Sequence, residues 1–209
     1  MKHIVALLIG LFLFSAAEGF AQSRRLMYAP RDGSWRIGLE GGVGVLGDDN
    51  TRDSKDYHFR PLGGVELSKL VNQNIAIGIY GTGGMLRSTT LRREANTDFL
   101  AAGFLTEFRA PLLRGALYPL LQIRGGVLSI APELRMDDVV YSIPQRLHLS
   151  WSLAAGFEVV SGRNFGVRAL LGVAYTSTDR WDLLVQGDDR DGYSFAQLGV
   201  TWYFGSRRR

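Results

Sequence analysis

From residue 35 to residue 204, apolar side chains recur at every second position in eight separate runs, and helical periodicity is nearly absent. A period of two means extended strands with one apolar face each. The runs are 35–46, 58–69, 74–86, 98–109, 116–129, 145–159, 164–176 and 193–204, each 12 to 15 residues long. The sixth shows the pattern in full. Leu147, Leu149, Trp151, Leu153, Ala155, Phe157 and Val159 share one face, against Arg146, His148, Ser150, Ser152 and Glu158 on the other.

The gaps between runs alternate in length. They span 47–57, 70–73, 87–97, 110–115, 130–144, 160–163 and 177–192, or 11, 4, 11, 6, 15, 4 and 16 residues. The short gaps hold turn residues, such as Asn72-Gln73 and Ser161-Gly162-Arg163. The long ones are polar and charged. Short turns at one end and long loops at the other, on an even number of antiparallel strands, are the pattern of a membrane-spanning barrel. A tilted strand crosses the hydrocarbon in about 9–11 residues, so every run is long enough. The expected fold is all-β, an eight-stranded antiparallel up-and-down transmembrane β-barrel over residues 35–204.

A soluble barrel of lipocalin type alternates too, with its apolar face turned inward around a ligand. Three features favour the inverted arrangement. No charge sits mid-strand on an apolar face. Aromatic residues gather near strand ends, as in interfacial girdles. Trp35, Phe108, Tyr118, Phe165, Trp202 and Phe204 lie towards the short turns, and Phe59, Phe99, Tyr175, Tyr193 and Phe195 towards the long loops, with Phe99 and Phe195 on the polar-face parity. Of these, Trp35, Phe59, Phe108, Tyr118, Phe165, Tyr175, Trp202 and Phe204 are the expected membrane-interface aromatics. Third, the polar face carries both signs of charge: Arg36, Arg60, Arg109, Arg124, Arg146 and Arg168 against Glu40, Glu66, Glu107 and Glu158. Buried charges persist when paired, so these ten residues form the expected lumen charge network. Twelve glycines, among them Gly38, Gly166 and Gly199, fall on the same inward parity and make room for long side chains.

On this pattern the chain resembles the small outer-membrane β-barrels of the eight-stranded outer membrane protein A/X type. The closing run, Phe195 to Phe204, is similar to that family's assembly signal, an alternating strand ending in an aromatic. The resemblance implies a bacterial outer-membrane location, termini in the periplasm, four loops outside, and contact with outer-membrane lipid, lipopolysaccharide and the assembly machinery.

Ahead of the barrel, Met1-Lys2-His3 precedes a run, 4–17, in which Ser15 is the polar residue, followed by small Gly19 and Ala21. This reads as a signal peptide, 1–21. Residues 22–34 then form a periplasmic segment, and 205–209 a basic tail. The absence of Cys excludes a disulfide scaffold, and three His leave little for a metal centre. No metal and no cofactor are expected. The net charge of +4 comes without a basic stripe, so nucleic acid is not an expected partner.

His148 and Ser150 resemble the His-x-Ser pair of outer-membrane lipid A deacylases, with Glu158 as a conceivable orienting acid. Their parity points them into the lumen, however, and Glu158 lies about 33 Å further along an extended strand. The expected function is therefore a non-enzymatic barrel with a charge-paired interior, acting in envelope integrity or surface interaction. The alternatives are a lipid A-modifying enzyme and a soluble periplasmic binder of a hydrophobic ligand. Three long loops are acidic: 47–57 with Asp48, Asp49, Asp53 and Asp56, 130–144 with Glu133, Asp137 and Asp138, and 177–192 with Asp179, Asp182, Asp188, Asp189 and Asp191. They suggest solvated surface or divalent-cation bridging to lipopolysaccharide.

Overall fold

The computed structural model describes residues 30–47, 58–90, 93–136, 139–142, 144–161, 164–177 and 192–205. The expected signal peptide, most of the basic tail and the acidic stretches 48–57 and 178–191 lie outside them. The strands are β1 (Trp35–Gly47), β2 (Arg60–Leu70), β3 (Ile75–Thr90), β4 (Arg93–Arg109), β5 (Leu117–Met136), β6 (Val139–Ser142), β7 (Arg146–Ser161), β8 (Phe165–Thr176) and β9 (Gly192–Phe204). Each of the eight long strands pairs antiparallel with its sequence neighbour. β1 pairs with β9 from Trp35↔Phe204 to Gly47↔Gly192 and closes the cylinder. The four-residue β6 extends the end of β5 and stands outside the closed ring.

Closure leaves no edge strand. A free peptide N–H or C=O in hydrocarbon costs several kcal/mol, so only helices and closed barrels span a bilayer. The parity holds along the barrel strands up to the loop end of β5, where Leu128, Ser129 and Ile130 are all buried. In β9 the residues alternate buried and exposed from Gln197 to Phe204. Away from the strand ends the exposed set is apolar: Ile37 and Leu39 on β1, Ile77 and Ile79 on β3, Phe104 on β4, Leu147 and Leu149 on β7, Leu198 and Val200 on β9. Phe104 is 74% exposed. The apolar face is therefore the outer one, and the soluble-barrel alternative is overturned.

Two predicted loops are partly strand. β3 and β4 stay paired up to Thr90↔Arg93, across most of the gap expected at 87–97. β5 runs on to Met136 into the expected gap 130–144. Beyond the lipid both faces of a hairpin meet water, so the apolar alternation disappears from the sequence while the backbone ladder continues.

The short turns are compact. Asn72 Oδ1 accepts hydrogen bonds from the backbone N–H of Asn74 and Ile75, both at 2.8 Å, closing the β2–β3 turn. The β4–β5 turn is strained: Leu113 and Arg114 have φ of 48° and 59°, followed by Gly115 at 81°. A side chain in this left-handed region costs roughly 1–2 kcal/mol, whereas Asn or Gly adopts it readily. From the expected periplasmic segment, Ser34 and Gly33 are hydrogen-bonded to Leu70 at the end of β2.

The lipid-facing assignment has a direct check. Phe104→Arg is expected to lower the stability of the barrel refolded in vesicles by about 2–4 kcal/mol if the residue meets mid-bilayer hydrocarbon. Val159→Arg, one strand end away from the turn, is expected to cost about 0–1 kcal/mol. Urea unfolding in phospholipid vesicles measures both; equal small effects would contradict the outward apolar face.

Candidate functional site

The inward residues stack in three layers. On β2, running from the loop end to the turn end, they read Leu62, Gly64, Glu66, Ser68, Leu70; on β5 the reverse order reads Ile130, Leu128, Gly126, Arg124, Gln122, Leu120, Tyr118. Towards the loops lies an apolar layer that includes Leu46, Leu62, Leu86, Phe99, Leu128, Ile130, Tyr193 and Phe195. Towards the turns lies a smaller one of Leu70, Ala76, Tyr118, Val160 and Tyr203. Between them sits the charge.

That middle layer holds four arginines, Arg36, Arg109, Arg124 and Arg168, and four glutamates, Glu40, Glu66, Glu107 and Glu158, all buried. Its formal charge sums to zero. Arg36 grips Glu107 with both Nη atoms, at 2.5 and 2.9 Å, and donates from Nε to Ser68 at 3.0 Å. Its Nη2 also lies 2.8 Å from Glu66. Arg168 bridges Glu66, at 2.8 Å through Nη1, to Glu40. Arg124 donates to both oxygens of Glu40, at 2.9 and 2.7 Å, and to Gln122 at 2.8 Å. Gln122 in turn donates to Glu66 at 3.1 Å. At the turn end, Tyr203 donates to Glu158 while accepting from Arg109 at 2.7 Å, and Thr201 also donates to Glu158. The Arg109 guanidinium lies 3.8 Å from the Tyr118 ring centre, a cation–π contact.

Glycine makes the space. A Cβ on Gly38 would stand 2.7 Å from Glu66 Cγ, and one on Gly199 3.2 Å from Glu40 Cγ. One on Gly166 would collide with the Glu158 carboxylate and the Thr201 hydroxyl. These close approaches let long side chains reach across a narrow barrel.

Three expectations need correction. Arg60 and Arg146 stand outside the cluster. They share its face of the barrel but not its height: Arg60 is about 20 Å above Glu66 along β2, and Arg146 about 40 Å above Glu158 along β7. Parity fixes a face, and residue number along the strand fixes depth. Tyr118 is not an interface aromatic; it is fully buried in the lower apolar layer. Tyr193, grouped by sequence with the loop-end aromatics, points inward too; it joins Phe99 and Phe195, which stand on the polar parity, and the Phe99 and Tyr193 rings meet at 5.3 Å. Trp35, Phe59, Phe108, Phe165, Tyr175, Trp202 and Phe204 do project outward. The sequence reading missed the bridging roles of Gln122, Tyr203 and Thr201, although all three lie on the polar parity.

His148 and Ser150 lie on the inward parity, between the exposed Leu147, Leu149 and Trp151. Glu158 belongs to the charge layer near the other end. Ser150, with Leu62, Thr82, Ser152 and Gln197, borders a cavity of about 20 Å³ above Arg124, space for about one water. Gln197 Oε1 has no protein hydrogen-bond partner. No group of acids or histidines arranged to hold a metal occurs among the described residues.

Removing one member of such a cluster leaves a buried charge without its partner, which costs about 3–5 kcal/mol. Glu66→Gln is expected to destabilise the barrel by that amount, since Arg36 and Arg168 both depend on it. Arg146→Gln, on an exposed residue outside the cluster, is expected to stay within about 0.5 kcal/mol of the parent. Unfolding in detergent or vesicles compares the two.

No family model matches the chain, and no curated protein matches it in sequence. Solved structures do match. Neisserial surface protein A superimposes with a TM-score of 0.59 at 8% identity, over 83% of this chain and 100% of that one. Ail, the attachment invasion locus protein of Yersinia pestis, superimposes at 0.52 and 14% identity, over 83% and 99%. Ail in complex with the heparin analogue sucrose octasulfate gives 0.50 and 13%, over 83% and 99%. At such identities the likeness establishes the fold, that of the small eight-stranded outer-membrane barrels.

Proposed function

We propose that this eight-stranded outer-membrane barrel is a closed, non-enzymatic element of the envelope that displays its loops at the cell surface and is not a solute channel. The observation that carries this reading is the lumen: a charge-neutral layer of four arginines and four glutamates, cross-linked from strand to strand, lies between two apolar layers. Eight strands enclose only enough space for side chains, and here the side chains fill it. A lipid-modifying role finds no support from geometry, because His148 and Ser150 stand on the lumen side of β7 while lipid lies on the other.

The partners that fit are outer-membrane lipid along the apolar belt, and the assembly machinery at the closing strand β9, which alternates and ends in Phe204. Three of the four long-loop sequences are acidic, whereas 87–97 carries Arg87, Arg92 and Arg93 against Glu94. At the three acidic loops, contact with anionic lipopolysaccharide would therefore run through bridging divalent cations, while the basic 87–97 sequence could meet an anion directly.

Planar-bilayer recording tests the closed lumen. The refolded barrel, verified by heat-modifiable migration, is expected to give no steady conductance; an ohmic open state of long duration would overturn the reading. His148→Ala with Ser150→Ala is expected to leave lipid A acylation unchanged by mass spectrometry, and a changed acyl pattern would restore the enzymatic alternative.

A further inference from the structure

The outer surface at the turn end of the barrel is uneven. On one arc, from β1 to the β4–β5 turn, aromatic and cationic side chains alternate. Trp35 and Lys69 are ladder partners on β1 and β2, and Lys69 Nζ lies 5.7 Å from the Trp35 ring centre. Lys69 pairs onward with Ile77, and Ile75 with Phe108. The two short turns on this arc are tied together: Arg109 N–H donates to the Asn74 carbonyl at 2.8 Å, and Asn74 Nδ2 donates to the Arg109 carbonyl at 3.0 Å. The strained turn beyond them carries Leu113, 70% exposed, and exposed Arg114.

From β1 to the β4–β5 turn no acid faces outward among the described residues; exposed Asp32, beside exposed Arg31, precedes β1 at this end. At the opposite rim, by contrast, exposed Asp98 and Glu133 accompany Arg146. Across the sheet Lys69 and Arg114 are two to three strand spacings apart, roughly 10–15 Å. Lys69 shares a rung with Ile77 and Thr106, and the β4–β5 hairpin runs about six residues further to Leu112↔Leu117 before Arg114. The two cations are therefore roughly 20–25 Å apart and meet separate headgroups. Trp and Phe at this level sit among headgroups. A Leu beside an Arg at a turn tip puts an apolar stem against the acyl boundary and a cation in the phosphate plane.

We propose that this arc is a seat for anionic phospholipid headgroups of the inner leaflet, with Lys69 and Arg114 as its two phosphate-binding cations and Trp35 holding Lys69 in place. The proposal rests on the membrane-spanning reading and adds a lipid preference to it. It also gives the strained turn a use. Asn-Gly would relax the backbone at 113–114, but would remove both the apolar stem and the cation.

The test is lipid retention. The barrel is refolded into vesicles of equal parts phosphatidylcholine and phosphatidylglycerol, and the lipids that stay bound are weighed by native mass spectrometry. Heat-modifiable migration first reports insertion. The parent is expected to retain phosphatidylglycerol over phosphatidylcholine by at least about fivefold, the effect of one surface cation. Lys69→Gln with Arg114→Gln is expected to abolish the preference, Lys69→Arg with Arg114→Lys to keep it, and Arg146→Gln at the far rim to leave it intact. An inserted parent that retains both lipids equally, or a double Gln variant that keeps the preference, overturns the headgroup seat alone. A parent that never inserts overturns the membrane-spanning reading, and the seat with it.

Discussion

In hydrocarbon, the peptide group sets the terms. Each backbone N–H and C=O must find a partner within the protein, and here the β1–β9 ladder supplies the pairing that an open sheet would leave undone. Closure fixes everything else. It forces the strands to tilt, commits one parity to lipid and the other to the lumen, and limits the lumen to the width that eight strands allow. No residue on the inner face can escape to solvent sideways.

The inner face then has to be filled at full density with whatever its parity presents. Large polar side chains reach across only because glycines stand opposite them, as Gly38 does beneath Glu66 and Gly166 beside Glu158. Charges held in such a space must balance and be hydrogen-bonded, since removing ions from water costs several kcal/mol each even after relaxation. Four arginines and four glutamates balance in charge and each arginine has a hydrogen-bonded partner, although Arg109 Nε and Nη2 and Arg168 Nε have none among the described residues. Polar bridges join them: Gln122 links Arg124 to Glu66, and Tyr203 links Arg109 to Glu158. Replacing such a cluster whole by apolar residues of the same volume is often neutral or stabilising, whereas removing one partner leaves a buried charge uncompensated.

The apolar layers above and below the charges give the barrel its closed character. Tyr118 under Arg109 and the Phe99, Tyr193 and Phe195 group near the loops occupy positions where a wide barrel would hold water. Their inward orientation follows from the same parity that sends Trp202 and Phe204 outward. An aromatic near a strand end is therefore not by that fact a membrane anchor; the face decides, and Tyr118 and Phe108 show the two outcomes a few residues apart.

The strand count, the identity of the apolar face and most of the charged lumen residues were legible from the amino-acid string, because a period of two is a local property that survives any arrangement of neighbours. Leu147 through Val159 declare their face without reference to any other strand. Depth and partnership were not legible. Arg60 and Arg168 share a parity, yet Arg168 meets Glu40 and Glu66 while Arg60 lies far above them. That difference arises from the stagger between strands distant in sequence, which only the closed ladder sets. The hairpin extensions beyond residues 86 and 129 were hidden for the opposite reason: once both faces meet water, pairing no longer needs an alternating sequence. The sequence by itself determined which side of each strand meets lipid, since transfer energy acts residue by residue; the tertiary structure decided which charges meet, since that depends on register around the whole ring.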